Sequence, residues 1–246
     1  MLRFFLVNIL IFSHLSWAKI PRVIHLTNGE WPPYLSKSLP NGGPSSQVIV
    51  EAFRLQGIEV IWGWYPWARS YILAKEGEYD GTVIWSVNEE RKEYFLYTVP
   101  VLEEKRVLFH LVTKPIEWRT MNDLSKYEIG ATVGYQYSKD FQEAEAQGIL
   151  KVRRIAKESN NFKMLIANRV DLVIATYRVG YALIASKLSE NEGNMITHNN
   201  RYVDIQHWSV LISKKNQYGD YFIEQFNYGF KKLVESGRYD EIMKNR

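Results

Sequence analysis

Twice along this chain a helical stretch ends, an aspartate follows and an apolar strand begins. Leu73-Ala74-Lys75-Glu76-Gly77-Glu78-Tyr79-Asp80 leads into Thr82-Val83-Ile84, and Leu165-Ile166-Ala167-Asn168-Arg169-Val170-Asp171 leads into Leu172-Val173-Ile174. The order of segments around each echo is also the same. In the first half, strand Val23 to Thr27 runs into a loop from Asn28 to Tyr34 that holds Pro32 and Pro33. A turn at Asn41-Gly42-Gly43-Pro44 precedes a helix capped by Ser45 or Ser46, with Val48, Ala52, Phe53 and Leu55 on one face and Gly57 as its stop. Strand Val60 to Trp64 follows, and Pro66 suits the first turn of a second helix that runs to Gly77.

After a long apolar strand, Arg106 to Thr113, the pattern restarts. It gives strand Glu128 to Val133, a turn at Gly134, a helix ending at Gly148, strand Val152 to Ile155, and a helix carrying Phe162, Leu165 and Ile166. Strands alternating with helices at these spacings predict parallel sheets covered by helices. Two similar α/β lobes are therefore expected. The chain ends in a helix whose Phe222, Phe226, Phe230, Leu233 and Val234 form one apolar stripe, read as core, with Gly237 as its stop and a last short turn at Tyr239 to Met243.

The first residues point to export. Arg3 is followed by a stretch from Phe4 to Phe12 that is apolar except for Asn8, and Ser16-Trp17-Ala18 supplies a small-x-small exit. This is the pattern of a cleavable secretory signal over residues 1–18, too short to span a bilayer. The mature chain is expected in the periplasm. With no cysteine in the sequence, it must hold together without disulfides or a lipid anchor. A hydrophobic share of 46% and a formal charge of +4 describe an ordinary globular protein with too little positive charge for nucleic acid.

No Gly-x-Ser-x-Gly, phosphate-binding Gly-rich loop or His-Glu-x-x-His is present. His25, His110, His198 and His207 are scattered without metal-ligand spacing. No cofactor or metal is expected.

Several short pieces, in order, carry a resemblance. They are Trp31-Pro32-Pro33-Tyr34, Pro66-Trp67-Ala68-Arg69, Gly77-Glu78-Tyr79-Asp80-Gly81, Asn88-Glu89-Glu90-Arg91, Tyr97-Thr98-Val99-Pro100 and Ser236-Gly237-Arg238-Tyr239-Asp240-Glu241-Ile242. Each is weak alone. Together the chain resembles the family-3 bacterial extracellular solute-binding proteins, the amino-acid receptors of ABC importers. The resemblance implies a two-lobed periplasmic-binding-protein-like fold (type II). Each lobe is then a mostly parallel sheet flanked by helices, with ligand held in the cleft between them. Lobe one would take residues 19–108 and 211–246, and lobe two residues 109–210. Two hinge strands would cross near Val107 to His110 and near Trp208 to Leu211.

The resemblance also implies site residues. Arg91 would fork onto a ligand carboxylate; taken locally, it could instead pair with Glu89, Glu90 or Glu93. Trp31, Tyr34 and Trp67 would wall the ligand, while core packing is expected for Trp62 or Trp64. Trp85 and Ser86 end a strand where relatives touch ligand, and Arg69 would touch it or brace the cleft. In lobe two, Gln136 belongs to Gly134-Tyr135-Gln136-Tyr137-Ser138, a strand-to-helix joint whose backbone N–H groups could hold an anion, with Ser138 as N-cap.

Thr176 departs from the pattern. Amino-acid receptors place an aspartate there for the α-ammonium, and a hydroxyl cannot replace its charge. Glu30 or Asp204 could take over, or the ligand could lack the amine. The expected protein is a monomeric binder that delivers a small polar, carboxylate-bearing solute to a membrane permease. The alternatives are a sensory module for a membrane partner and a dehydratase-like enzyme using Glu30 or another cleft acid.

Overall fold

The computed structural model describes residues 21–244; the expected signal segment, 1–18, lies outside them. The first lobe begins with β1 (Val23–Asn28), α1 (Pro44–Arg54), β2 (Glu59–Trp64), α2 (Trp67–Glu76), β3 (Gly81–Trp85), α3 (Glu89–Tyr94) and β4 (Phe95–Tyr97). β5 (Leu102–Leu111) leads into the second lobe. That lobe contains β6 (Glu128–Thr132), α4 (Lys139–Ala146), β7 (Lys151–Ile155), α5 (Glu158–Ile166), β8 (Leu172–Thr176), α6 (Tyr177–Lys187) and α7 (Glu190–Gly193). The 18-residue β9 (Ile196–Ser213) returns to the first lobe, where α8 (Gly219–Glu235) and α9 (Arg238–Lys244) close the chain.

The two lobes repeat one design. β2, β1 and β3 are parallel neighbours in that order, and so are β7, β6 and β8. Each trio meets an antiparallel strand on its third member, β9 against β3 and β5 against β8.

The aspartate echo has a mechanical reason. Asp80 accepts a hydrogen bond from the His25 backbone N–H at 2.7 Å, and its own N–H donates to the His25 carbonyl. Asp171 treats Glu128 identically, accepting its N–H at 3.0 Å and donating to its carbonyl. Each aspartate thus ties the turn before the third strand to the start of the first. That tie fixes the register in which the strand's carboxyl end reaches the cleft.

β5 and β9 pair along most of their length. From Arg106 to Phe109, β5 also pairs with β8, whereas Ser209 to Ile212 of β9 pair with β3. The bare two-stranded ribbon between the lobes is therefore Leu102 to Lys105 against Ile205 to Trp208. Both crossings expected from sequence, Val107 to His110 and Trp208 to Leu211, lie a few residues too late, because most of those residues already belong to a sheet.

Packing follows the strand period. All five residues of β8 are buried; Leu172 and Ile174 join the cluster around Phe141, while Val173 and Ala175 join the one around Phe162. In the first lobe, Phe53 of α1 packs on Phe222 and Phe226 of α8, with ring centroids 6.4 and 5.2 Å apart. The α8 stripe is core except for Val234, which points into solvent. At the start of α1 the N-cap is Gly43 and not a serine. Ser45 and Ser46 are buried inside the first turn, where Ser46 Oγ accepts from Asn28 Nδ2 at 2.8 Å.

Candidate functional site

A cleft of about 470 Å³ opens between the lobes beside the ribbon. The first lobe gives it Trp31, Trp67, Ala68, Ile84, Trp85, Ser86 and Arg91. The second gives Thr132 to Gln136, Ala156, Glu158 and Thr176, and the strands that join them give Arg106, Gln206 and Trp208. The lining gathers at the carboxyl ends of β3, β6 and β8, the usual ligand side of such sheets.

The aromatic walls are built by close backbone approach. Trp67 opens α2, and its indole lies flat over Gly29, where an added Cβ would come within 2.6 Å of the ring. Its Nε1 donates to the Glu30 carbonyl at 3.1 Å. Trp67 and Trp85 meet edge to face at 5.3 Å, and Trp31 meets Trp208 at 5.0 Å. Ile84 just before Trp85 has φ of 59°, a conformation β-branched residues avoid, at an irregularity in the β3–β9 pairing. Such strain costs on the order of 1–3 kcal/mol. Here it bends the end of β3 so that Trp85 and Ser86 turn into the cleft.

Arg91 stands in the first turn of α3, whose N-cap Asn88 accepts the Arg91 backbone N–H at 2.7 Å. Its guanidinium lies 4.8 Å from the centre of the Trp85 ring. Nη1 donates to the Ser86 carbonyl at 2.9 Å and to Ser86 Oγ at 3.1 Å. Among the described residues Nε and Nη2 have no partner, and Arg91 makes no ion pair; Glu89 pairs with Lys92 instead. Burial pulls the Arg91 pKa down. The free Nε–Nη2 edge is the fork that matches a carboxylate.

Arg106 is the second cationic lining residue, and it is already engaged. Its Nη2 donates to the Gln136 carbonyl at 2.9 Å, its Nη1 lies 3.5 Å from Asp204, and its guanidinium covers the Tyr137 ring at 4.6 Å. Burial lowers the Arg106 pKa and raises that of Asp204, and each charge opposes the shift in the other.

Glu158 supplies the acid. It begins α5 and takes a hydrogen bond on Oε2 from the Tyr135 hydroxyl at 2.9 Å. Part of its surface stays open to the cleft while protein surrounds it at longer range. Burial pushes its pKa up to about 7 against the lowering effects of Tyr135 and Arg106.

Seven of the expected residues, Trp31, Trp67, Trp85, Ser86, Arg91, Gln136 and Thr176, meet around this one cleft. Two do not line it. Tyr34 is fully buried behind Trp31, because the turn at Pro32-Pro33 folds the chain back so that Trp31 and Leu35 pair. Its hydroxyl donates to Glu104 on the ribbon, which also pairs with Arg178 of α6 at 3.1 Å. Arg69 lies one helical step past Ala68, on the exposed side of α2, 5.3 Å from the Tyr65 ring.

The acids named as substitutes at Thr176 are also placed elsewhere. Glu30 is exposed and accepts the Lys37 backbone N–H, and Asp204 is held by Arg106 and Gln206. Trp62 and Trp64 share one face of β2, with rings 6.4 Å apart, and both lie outside the cleft; Trp62 packs on the core. Ser138 caps α4 as expected.

Sequence reasoning missed Arg106, Glu158 and Trp208 as lining residues. Arg106 closes a charged run in β5, Glu103-Glu104-Lys105-Arg106, that reads as a solvated stretch, yet the fold buries it. Glu158 looked like any first-turn helical acid.

No protein-family model and no curated protein matches this chain. Solved structures do. A histidine kinase sensor domain with similarity to periplasmic binding proteins matches with a TM-score of 0.71 at 17% identity, over 92% of this chain and 96% of that one. An ancestral arginine-binding protein bound to arginine matches at 0.70 and 17% identity, over 91% and 97%. The ligand-binding core of GluR0 from Nostoc punctiforme, in complex with L-glutamate, matches at 0.69 and 16% identity, over 90% and 98%. With the repeated sheets and the paired ribbon, these likenesses show that the chain has the mixed α/β, two-lobed fold of the periplasmic binding proteins.

Proposed function

We propose that the protein is a non-enzymatic, extracytoplasmic solute receptor that closes its lobes on a small carboxylate-bearing molecule and delivers it to a membrane permease. The observation that carries this reading is the free Nε–Nη2 edge of Arg91, half-buried among tryptophans in the interlobe cleft with no carboxylate of the protein's own. A guanidinium drawn out of water without an anion is costly, and a ligand carboxylate removes that cost. The structures it resembles are described as a sensor domain, an arginine-binding protein and a ligand-binding core, which supports a binder.

Thermal unfolding against a panel of amino acids, cyclic acids, polyamines and small sugars tests the reading. A ligand specific for the folded state, at a hundred times its Kd, adds about 2.7 kcal/mol, several degrees in Tm at this size. The expected result is a shift with carboxylate-bearing members, with affinity at least about tenfold weaker in Arg91→Ala. An unchanged affinity in that variant contradicts the role of Arg91.

The likeness to a sensor domain favours a second reading, in which the closed form reports the solute to a membrane partner. Cellular uptake of the solute separates the two: deletion of the chain abolishes it if the protein feeds a permease and leaves it intact if the protein is a sensor.

A further inference from the structure

Arg106 lines the cleft while only 5% exposed, and its charge is poorly matched. Of its N–H groups, one donates to the Gln136 carbonyl, a neutral acceptor, at 2.9 Å. The other contact, Nη1 to Asp204 Oδ2 at 3.5 Å, is longer than the roughly 2.7–2.9 Å of a charge-assisted bond. Asp204 gives that same oxygen to Gln206 Nε2 at 2.8 Å, and its Oδ1 is buried without a partner among the described residues. The pair is stretched, and the guanidinium keeps N–H groups to spare.

Thr176 stands directly opposite Arg106 in the β5–β8 ladder, so the two side chains share a face with their Cβ atoms about 5 Å apart. An aspartate at this position would pair with the guanidinium. Threonine instead brings a hydroxyl that neither caps α6 nor bonds elsewhere among the described residues. The backbone N–H groups of Gly134 and Gln136, in the loop that Arg106 holds, have no partner there either. Glu158, the one acid in the lining, is outside ion-pair distance of both arginines, and with its pKa pushed up to about 7 it is about half protonated at neutral pH. Around Arg106, then, the cleft presents unfilled donors.

We infer that Arg106 and the Thr176 hydroxyl form a second anion subsite, so that the preferred solute carries two acidic groups, one for Arg91 on the first lobe and one for Arg106 on the second. This rests on the carboxylate reading of Arg91. It gives Thr176 a task that an aspartate could not perform, since a carboxylate there would neutralise the guanidinium and repel a bound anion. A dianion held at both ends touches both lobes at once, so its binding favours the closed form.

Diacids and their monoamides test the inference, because the amide keeps the size and removes one charge. The pairs are succinate with succinamate, glutarate with glutaramate, adipate with adipamate, and terephthalate with terephthalamate, titrated calorimetrically at neutral pH. The wild-type chain should prefer the diacid of at least one pair by about tenfold or more. Thr176→Asp sets a carboxylate against Arg106 and should erase that preference while the monoamide stays within about threefold. Arg106→Gln combined with Asp204→Asn removes the subsite without stranding a buried charge, and should erase the preference likewise. Monoamides bound as tightly as their diacids, or a preference that survives in either variant once its thermal transition shows it folded, overturn this inference and leave the carboxylate reading standing. Failure of every diacid and every monoamide to bind overturns the inference together with that reading.

Discussion

Tyr34 and Arg91 each stand within a few residues of a tryptophan that walls the cleft, and their surroundings give them opposite tasks. The Tyr34 hydroxyl is consumed by Glu104, and burial together with that carboxylate pushes its pKa far up. Arg91 keeps an unfilled edge. Tyr34→Phe should therefore lower stability by about 1–3 kcal/mol, the scale of removing a donor from a buried charged acceptor, while ligand affinity stays within about twofold. Denaturant unfolding beside ligand titration checks this; lost affinity at unchanged stability would return Tyr34 to the ligand. At this scale the sequence was only partly legible. The motif around Trp31 located the loop correctly, but a loop has no periodicity to tell which of its side chains turns inward. Arg69 failed for a similar reason: one residue is about a quarter turn of helix, enough to carry a side chain from cleft to solvent. Glu158 became visible only when the fold placed it in the cleft lining beside Tyr135.

Elements were far more legible, because strand and helix periods are written in the chain itself. The alternation and the aspartate echo marked β1 to β3 and β6 to β8, and the aromatic stripe marked α8. What escaped was short or long-range. α3 and α7 have too few turns to show a period, and the 18 residues of β9 span two environments, partly exposed in its first half and buried from Trp208 onward. Nor could sequence show why α8 carries Gly229. A Cβ at that position would collide with the Ala52 carbonyl of α1, so the glycine sets how closely the two helices pack. Gly229→Ala should push α8 off α1 and destabilise the first lobe by about 1–3 kcal/mol despite its better helix propensity. Chemical denaturation would register the loss; a stabilised variant would mean the helices pack less tightly than described.

At the scale of the molecule, function rests on two similar sheets joined by a ribbon of two strands. Glu104 on that ribbon is gripped by Tyr34 from the first lobe and by Arg178 from the second, so the hinge is connected to both bodies it separates. Trp208, at the ribbon's end, packs against Trp31 at a tilt and lines the cleft, so a hinge motion at the ribbon would move one of the cleft's own walls. A solute held by Arg91 and by the second lobe's side of the cleft would shift such a hinge toward the closed form. Because the sequence has no cysteine, a spin label can be placed once on each lobe without background. The most direct measurement is the distance between labels at Ile72→Cys on α2 and Lys139→Cys on α4, by pulsed electron–electron resonance. It is taken with and without a pool of amino acids and small carboxylic acids, in the otherwise wild-type chain and with Arg91→Ala added. The account predicts a shorter, narrower distance distribution when the pool is added, and no change with Arg91→Ala. A distribution that ignores the pool, or that narrows equally without Arg91, would contradict it.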